Sequence, residues 1–296
     1  MVDVIDDTGL RPTTLSSNGV AIPFDDEHFR PMRDSTALLG DPAALRARFA
    51  ADGYVLLRSV LDREVVLELR ADYFARFDPA MLAAGTTPRD GVFSGTVPPG
   101  LPPYGIPGHP AYAIVRSPAF DELTRSRRLH TVAEYLLDGP VELLRRRILR
   151  HFHRGTLMAS RAHVDFDYMD RGSDHVVTAW IALGDYPIAS GGITYLEGSH
   201  RVDRVALDGL REHTDRLIDR RPVSNDLALT ASALGGRWLW TEFQAGDVAL
   251  HSPHLVHASL DNQSEAMRLS ADVRFVPAGA PTDERWHADW SADDGY

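Results

Sequence analysis

Between residues 141 and 277 the chain sets short runs of apolar and alternating residues between turn-forming ones, and this pattern restricts the fold more than any other feature. "HVVTAWIAL" (175–183), "GGITYLEGSH" (191–200), "GDVALHSP" (246–253) and "RLSADVRFVP" (268–277) are the clearest runs, and "ASRAHVDFDYM" (159–169) and "VELLRRRILRHFH" (141–153) read the same way. Strands this short, with no helical period between most of them, specify a sandwich, a barrel or a jelly roll rather than a parallel α/β sheet. One stretch, 201–240, interrupts them with mixed helical and loop character.

The texture upstream is different. "DPAALRARFAADGYVLLRSVLDREVVLELRADYFARF" (41–77) opens on an Asp-Pro helix start, passes through a short apolar strand and enters a second amphipathic helix. Further helices are expected over 117–137, with "LDGP" as the stop. Residues 84–112 are too dense in Gly and Pro for a regular element, and a long loop inside a compact domain suits a lid over a site. Residues 1–35 show no sustained period and read as an irregular arm. The expected organisation is a single domain over 36–296: a helical layer over about 41–140, a β core over about 141–277 carrying the insert at 201–240, and a tail over 278–296.

No run of about 18 to 20 apolar residues is present to cross a bilayer, and the first thirty residues carry too many acids for a secretory signal, so a cytoplasmic protein is expected. The net charge of -11 argues against nucleic acid as a partner, because affinity for phosphate backbones rests on clustered positive charge. All 31 basic residues are Arg, a side chain that grips a carboxylate with two parallel hydrogen bonds. With no cysteine, any metal must be held by His, Asp and Glu, which suits iron, manganese or zinc.

Candidate ligands stand in "SRAHVDFDYM", where His163 and Asp165 lie two apart. On a strand such residues share a face and are about 7 Å apart along it, so both can converge on one ion. Such a pair is common by chance and gains meaning only with a third ligand. "GDVALHSPHLVHASLDNQSEAMRLSADVRF" offers His251, His254 and His257. Two histidines and one carboxylate leave three positions of an octahedral metal open, the arrangement used by non-haem iron oxygenases. In "RLSADVRF" alternation places Arg268, Ser270, Asp272 and Arg274 on one face. A buried guanidinium there needs an anionic partner, and for Arg274 the nearest candidate in sequence is Asp272.

Taken together these blocks resemble the phytanoyl-CoA dioxygenase-like (PhyH) family of Fe(II)/2-oxoglutarate-dependent oxygenases, over about residues 44–277. "FAADGYVLLRSVLDREVV" is similar to the family's opening helix and strand, "HVD" to its H-x-D, and "TAWIALGDYPIASGGITYLEGSH" to its Trp-containing strand, Gly-rich turn and "GSH" ending. "HASLDNQSEAMR" is similar to its closing block, in which the distal His is followed by a Ser at plus two and an Arg at plus eleven. The resemblance implies an α+β chain with an all-β catalytic core, a double-stranded β-helix (jelly roll, cupin-like) flanked by N-terminal helices. It implies His163, Asp165 and His257 as iron ligands, with His257 preferred to His251 and His254 because only it carries Ser259 and Arg268 at those distances. Arg268 and Ser259 would hold the 2-oxoglutarate cosubstrate, with Trp180 packing near it, and Tyr168 and Arg161 flank the ligands as candidate substrate contacts.

The activity so implied consumes O₂ and 2-oxoglutarate, releases succinate and CO₂, and hydroxylates an unactivated C–H of a small molecule, a specialised metabolite of antibiotic or natural-product biosynthesis. Related halogenases replace the carboxylate ligand with a small residue, so Asp165 speaks against halogenation. Two other classes share parts of the pattern. A cupin-like isomerase or hydrolase would use the triad without 2-oxoglutarate and leave Arg268 and Ser259 without a purpose, and a non-catalytic jelly-roll binding module would need no triad. His151, His153, His175 and His200 read as ordinary hydrogen-bonded histidines, and Arg145, Arg146 and Arg147 as partners of the many acids.

Overall fold

A computed structural model describes residues 12–156, 158–169, 174–212 and 221–291. The chain begins with a hairpin of β1 (Thr14–Ser17) and β2 (Val20–Pro23) and a third strand, β3 (Phe29–Pro31). Then come α1 (Pro42–Asp52), β4 (Tyr54–Leu57), α2 (Arg63–Ala75), and the three helices α3 (Pro110–Ile114), α4 (Pro118–Thr124) and α5 (Arg127–Leu137). Asp41 and Asp62 cap α1 and α2, accepting from backbone N–H groups of the first turn, each cap worth about 1 kcal/mol. The β core follows: β5 (Val141–Leu143), β6 (Ile148–Phe152), a helical turn α6 (Phe166–Met169), β7 (Val177–Ala182) and β8 (Ile193–Leu196). Helices α7 (Arg204–Glu212) and α8 (Leu227–Leu234) precede β9 (Trp238–Trp240), β10 (Val248–His251), β11 (His257–Ser259) and β12 (Arg268–Pro277).

Two sheets face each other as a jelly roll. The larger has the order β4-β10-β7-β12, with β5 and β6 sharing the far edge of β12, and the smaller has the order β11-β8-β9-β3. Every residue of β7 is buried because both faces of the large sheet are covered. Val177, Ala179 and Ile181 pack with Leu67, Phe74 and Leu129 of the helical layer. Trp180 and Ala182 point the other way, toward Ile193, Tyr195 and Leu239 of the small sheet. The turn into β10 needs Gly246: its φ is +92°, and a Cβ there would sit 2.4 Å from Leu61 O. That turn delivers Asp247, whose carboxylate accepts from Ser59 N and Arg58 and ties β4 to β10.

The structure corrects four expectations. The segment expected as an irregular arm contains, in its described part, three strands, and β3 runs parallel to β9 in the small sheet. Their few apolar residues, Leu15, Ile22 and Phe29, are buried, but strands of three or four residues are too short to declare a period. "ASRAHVDFDYM" is not one strand. It forms the isolated bridges Ala162–Ser224 and His163–His257 and then turns into α6, where Asp165 O accepts from Tyr168 N and Met169 N. The expected strand over 141–153 is two, β5 and β6, each pairing a different half of β12. Lastly, 84–112 does not close over the cleft: Leu101 and Tyr104 pack against the helical-side core, and the Tyr104 hydroxyl donates to Leu149 O.

Candidate metal centre

His163 and His257 face each other across an antiparallel bridge, each N–H donating to the other's carbonyl at 2.9 Å. The side chains rise together, ring centroids 4.1 Å apart. The chain then turns at Asp165 and brings its carboxylate between them: Oδ1 lies 3.8 Å from His163 Nε2 and 3.7 Å from His257 Nε2. One ligand atom from each of the three residues lies within 4.8 Å of the other two. The expected pair therefore converges, but through the turn into α6 rather than along a strand face.

Backbone carbonyls set the ring orientations. His163 Nδ1–H donates to Arg161 O at 2.6 Å, and His257 Nδ1–H to Leu255 O at 2.9 Å. With the proton held on Nδ1, each Nε2 presents its lone pair to the centre, which is how metal-binding histidines are commonly oriented. Burial, above all, pushes the His163 ring below its ordinary pKa and the His257 ring well below, so both stay neutral as ligands. Burial alone would raise Asp165, but Arg274, with His251 and His257, overcomes it and holds the carboxyl well below the usual range. The donor set is thus two neutral imidazoles and one carboxylate, which fits iron(II).

The remaining candidates divide. Trp180 and Ser259 line the cleft beside the triad, with Arg150, Ser160, Thr178, Ile193, His251, Asp272 and Arg274. Arg268 is fully buried on the β12 face that also carries Asp272 and Arg274, and none of its three guanidinium nitrogens has a hydrogen-bond partner among the described residues. It lies over the Phe152 ring at 4.3 Å, and burial pushes its pKa down to about 10. The Tyr168 ring sits edge-on to His163 at 5.3 Å, at the rim. The Arg161 side chain is exposed, and its part in the site is its carbonyl. His254 stands at the surface against Phe166 and Asp174. Asp167, beside the ligands in sequence, turns away to pair with Arg204 and Arg211 of α7.

Three residues surround the Asp165 carboxylate in a way the sequence did not show, and Thr178 escaped the sequence reading altogether. Thr178 donates to Oδ2 at 2.5 Å, His251 Nε2 stands 3.5 Å from the same oxygen, and Arg274 Nη2 reaches both oxygens at 3.1 Å. Arg274 thus pairs with Asp165 and not, as its spacing suggested, with Asp272, which is taken by Arg150 at 3.1 Å. Strand parity signalled that Arg274 faces inward, but the partner belongs to a segment 109 residues away. His151 and His153 are bonded and stacked among Tyr73, Phe74 and Phe93, outside the cleft, as expected.

The family profile for Phytanoyl-CoA dioxygenase (PhyH) matches residues 49–270, most of the chain. The chain belongs to the phytanoyl-CoA dioxygenase (PhyH) family. It is 27% identical over 262 residues to the 1-deoxypentalenic acid 11-beta-hydroxylase of Streptomyces arenae, covering 85% of this chain and 87% of that one. Among solved structures it is similar to the epimerase SnoN in complex with Fe3+, alpha ketoglutarate and nogalamycin RO, at TM-score 0.55 and 25% identity over 82% of this chain and 87% of SnoN. It also shares the fold of EctD from S. alaskensis, at TM-score 0.55 and 19% identity over 91% and 88% of the two chains. Membership in this family accounts for the jelly roll, in which the structure brings His163, Asp165 and His257 together.

Proposed function

We propose that the protein is an iron(II)- and 2-oxoglutarate-dependent oxygenase that hydroxylates a small specialised metabolite. The observation that carries this reading is Arg268: a guanidinium with no hydrogen-bond partner among the described residues, fully buried on the inner face of the strand that passes the triad. An uncompensated buried charge is costly, and a dicarboxylate cosubstrate supplies the missing anion. A cupin-like enzyme working without 2-oxoglutarate leaves that charge unexplained.

When bound, iron with 2-oxoglutarate and O₂ supplies the oxidation of an unactivated C–H, coupled to release of succinate and CO₂. The chain's own residues bind, orient and exclude water. His163, Asp165 and His257 would hold the metal through one ligand atom each. Arg268 takes the far carboxylate of the cosubstrate, and the Ser259 hydroxyl assists. Trp180 and Ile193 wall the cleft with apolar surface and keep water from it. Tyr168, edge-on to His163, is assigned to substrate contact in this reading. The hydroxylase of Streptomyces arenae acts on 1-deoxypentalenic acid, and SnoN holds nogalamycin RO. These relatives support a bacterial natural product as the substrate class. No helix is long and apolar enough to cross a membrane among the described residues.

The test is anaerobic addition of Fe(II) and 2-oxoglutarate to the purified protein. A weak visible charge-transfer band, followed on exposure to O₂ by succinate formation, is the expected result. Iron binding with no band and no succinate would overturn the reading in favour of the cupin-like alternative.

A further inference from the structure

We infer that Arg274, seated on Trp286, is a positioning residue that fixes Asp165 as a one-oxygen metal ligand. The inference rests on the reading of the triad as a metal centre and deepens it.

The two carboxylate oxygens of Asp165 are in different situations. Oδ1 faces His163 Nε2 and His257 Nε2 at 3.8 and 3.7 Å. Oδ2 accepts from Thr178 Oγ1 at 2.5 Å and has His251 Nε2 at 3.5 Å on its other side. Arg274 Nη2 bridges both oxygens at 3.1 Å and so sets the tilt of the group. Oδ2 thus carries Thr178 as well as Arg274, whereas Oδ1 has Arg274 alone and faces the two imidazoles between which a metal would sit.

The guanidinium is itself held in an unusual way. Arg274 is buried, and its Nε and Nη1 have no hydrogen-bond partner among the described residues. In place of donors' partners it has an aromatic face, the Trp286 ring 4.5 Å from its central carbon. A cation over an indole gains more when it is desolvated, as here. Trp286 comes from the short turn Glu284–His287 and is packed with Leu144, Met169, Val176 and Val276. Met169 ends the helical turn that begins just after Asp165, so one indole braces both Arg274 and the ligand's own turn. Arg274 and Trp286 both lie beyond residue 270, where the family match ends.

The role is separable from a merely structural one. By Coulomb attraction alone Arg274 competes with a metal for Asp165, so removing it would tighten metal binding. If it positions the carboxylate, removing it weakens metal binding by about ten- to a hundredfold, as loss of an outer partner of a ligand commonly does.

The experiment titrates Co(II), as a spectroscopic stand-in, into the wild type and into Arg274→Met, Arg274→Lys, Trp286→Leu and His163→Ala, with circular dichroism as the folding check. Arg274→Met is expected to bind about ten- to a hundredfold more weakly with altered visible bands, since a loosened carboxylate changes coordination number. Arg274→Lys, which keeps the charge but not the planar fork, is expected between it and the wild type. Trp286→Leu, which leaves both metal-side residues in place, is expected to weaken binding in the same direction. His163→Ala is the control on the triad: if it binds Co(II) as the wild type does, the metal centre itself is misplaced. If His163→Ala loses binding while folded Arg274 and Trp286 variants keep wild-type affinity and bands, or bind more tightly, the positioning role is wrong. Should Arg274→Met fail to fold, Arg274→Lys and Trp286→Leu decide by the same criteria.

Discussion

His163 and His257 are backbone partners before they are metal ligands: each donates its N–H to the other's carbonyl at 2.9 Å. Their spacing is set by the ladder and not by the side chains. His163→Ala or His257→Ala is therefore expected to abolish iron binding and succinate formation while costing only about 1 kcal/mol of stability. Metal titration beside a thermal melt checks this. A variant that loses metal only because it unfolds would show that the rings, and not the bridge, organise the site.

Arg268 carries opposite consequences for binding and for stability. Arg268→Met removes a charge-assisted contact worth about 1.5–3 kcal/mol, so the 2-oxoglutarate requirement should rise by about one to two orders of magnitude. Without cosubstrate the same variant should be as stable as the wild type or more so, because an unpaired buried charge has given way to an apolar chain of similar length. Melting curves with and without 2-oxoglutarate read both effects. An unchanged cosubstrate requirement would remove Arg268 from the cosubstrate site.

Acid sensitivity is expected from His109. Burial lowers its pKa from 6.5 to about 4, and its Nδ1 accepts from Ala111 N at 3.0 Å to cap α3. The unfolded chain takes up this proton at a higher pH than the folded one. The stabilisation is therefore full above pH 6.5 and is lost as pH falls toward 4. Between pH 7 and 5 the loss from this residue is about 2 kcal/mol. His109→Asn should flatten the corresponding part of the stability–pH curve, and an unchanged slope would assign the acid sensitivity to other buried histidines.

Asp167 is expected to serve the fold and not the substrate. Its buried carboxylate pairs with Arg204 and with buried Arg211, fastening α7 to the turn that carries Asp165. Asp167→Asn removes the buried charge on which Arg204 and Arg211 converge and should cost about 1.5–3 kcal/mol, Arg211 keeping its pairing with Asp208. At a temperature where the variant remains folded, its 2-oxoglutarate requirement should match the wild type. A changed requirement with unchanged stability would place Asp167 in the site.

The sequence by itself determined the fold class and singled out the three residues that the structure brings together, because both rest on local signals. Strand parity survives any packing, so "RLSADVRF" already placed Arg268 and Arg274 on one face. The blocks "HVD" and "HASLDNQSEAMR" carried His163, Asp165 and His257 in a form specific enough to recognise. What only the tertiary structure decided are relationships between segments with no sequence proximity. Arg274 finds Asp165 and not Asp272 because α6 turns the carboxylate into its path, and Trp286 comes from the end of the described chain to back it. The strands of the first 35 residues and the displacement of 84–112 to the helical side have the same origin. Their few apolar residues bury against distant partners, and short segments lack the period that would announce it.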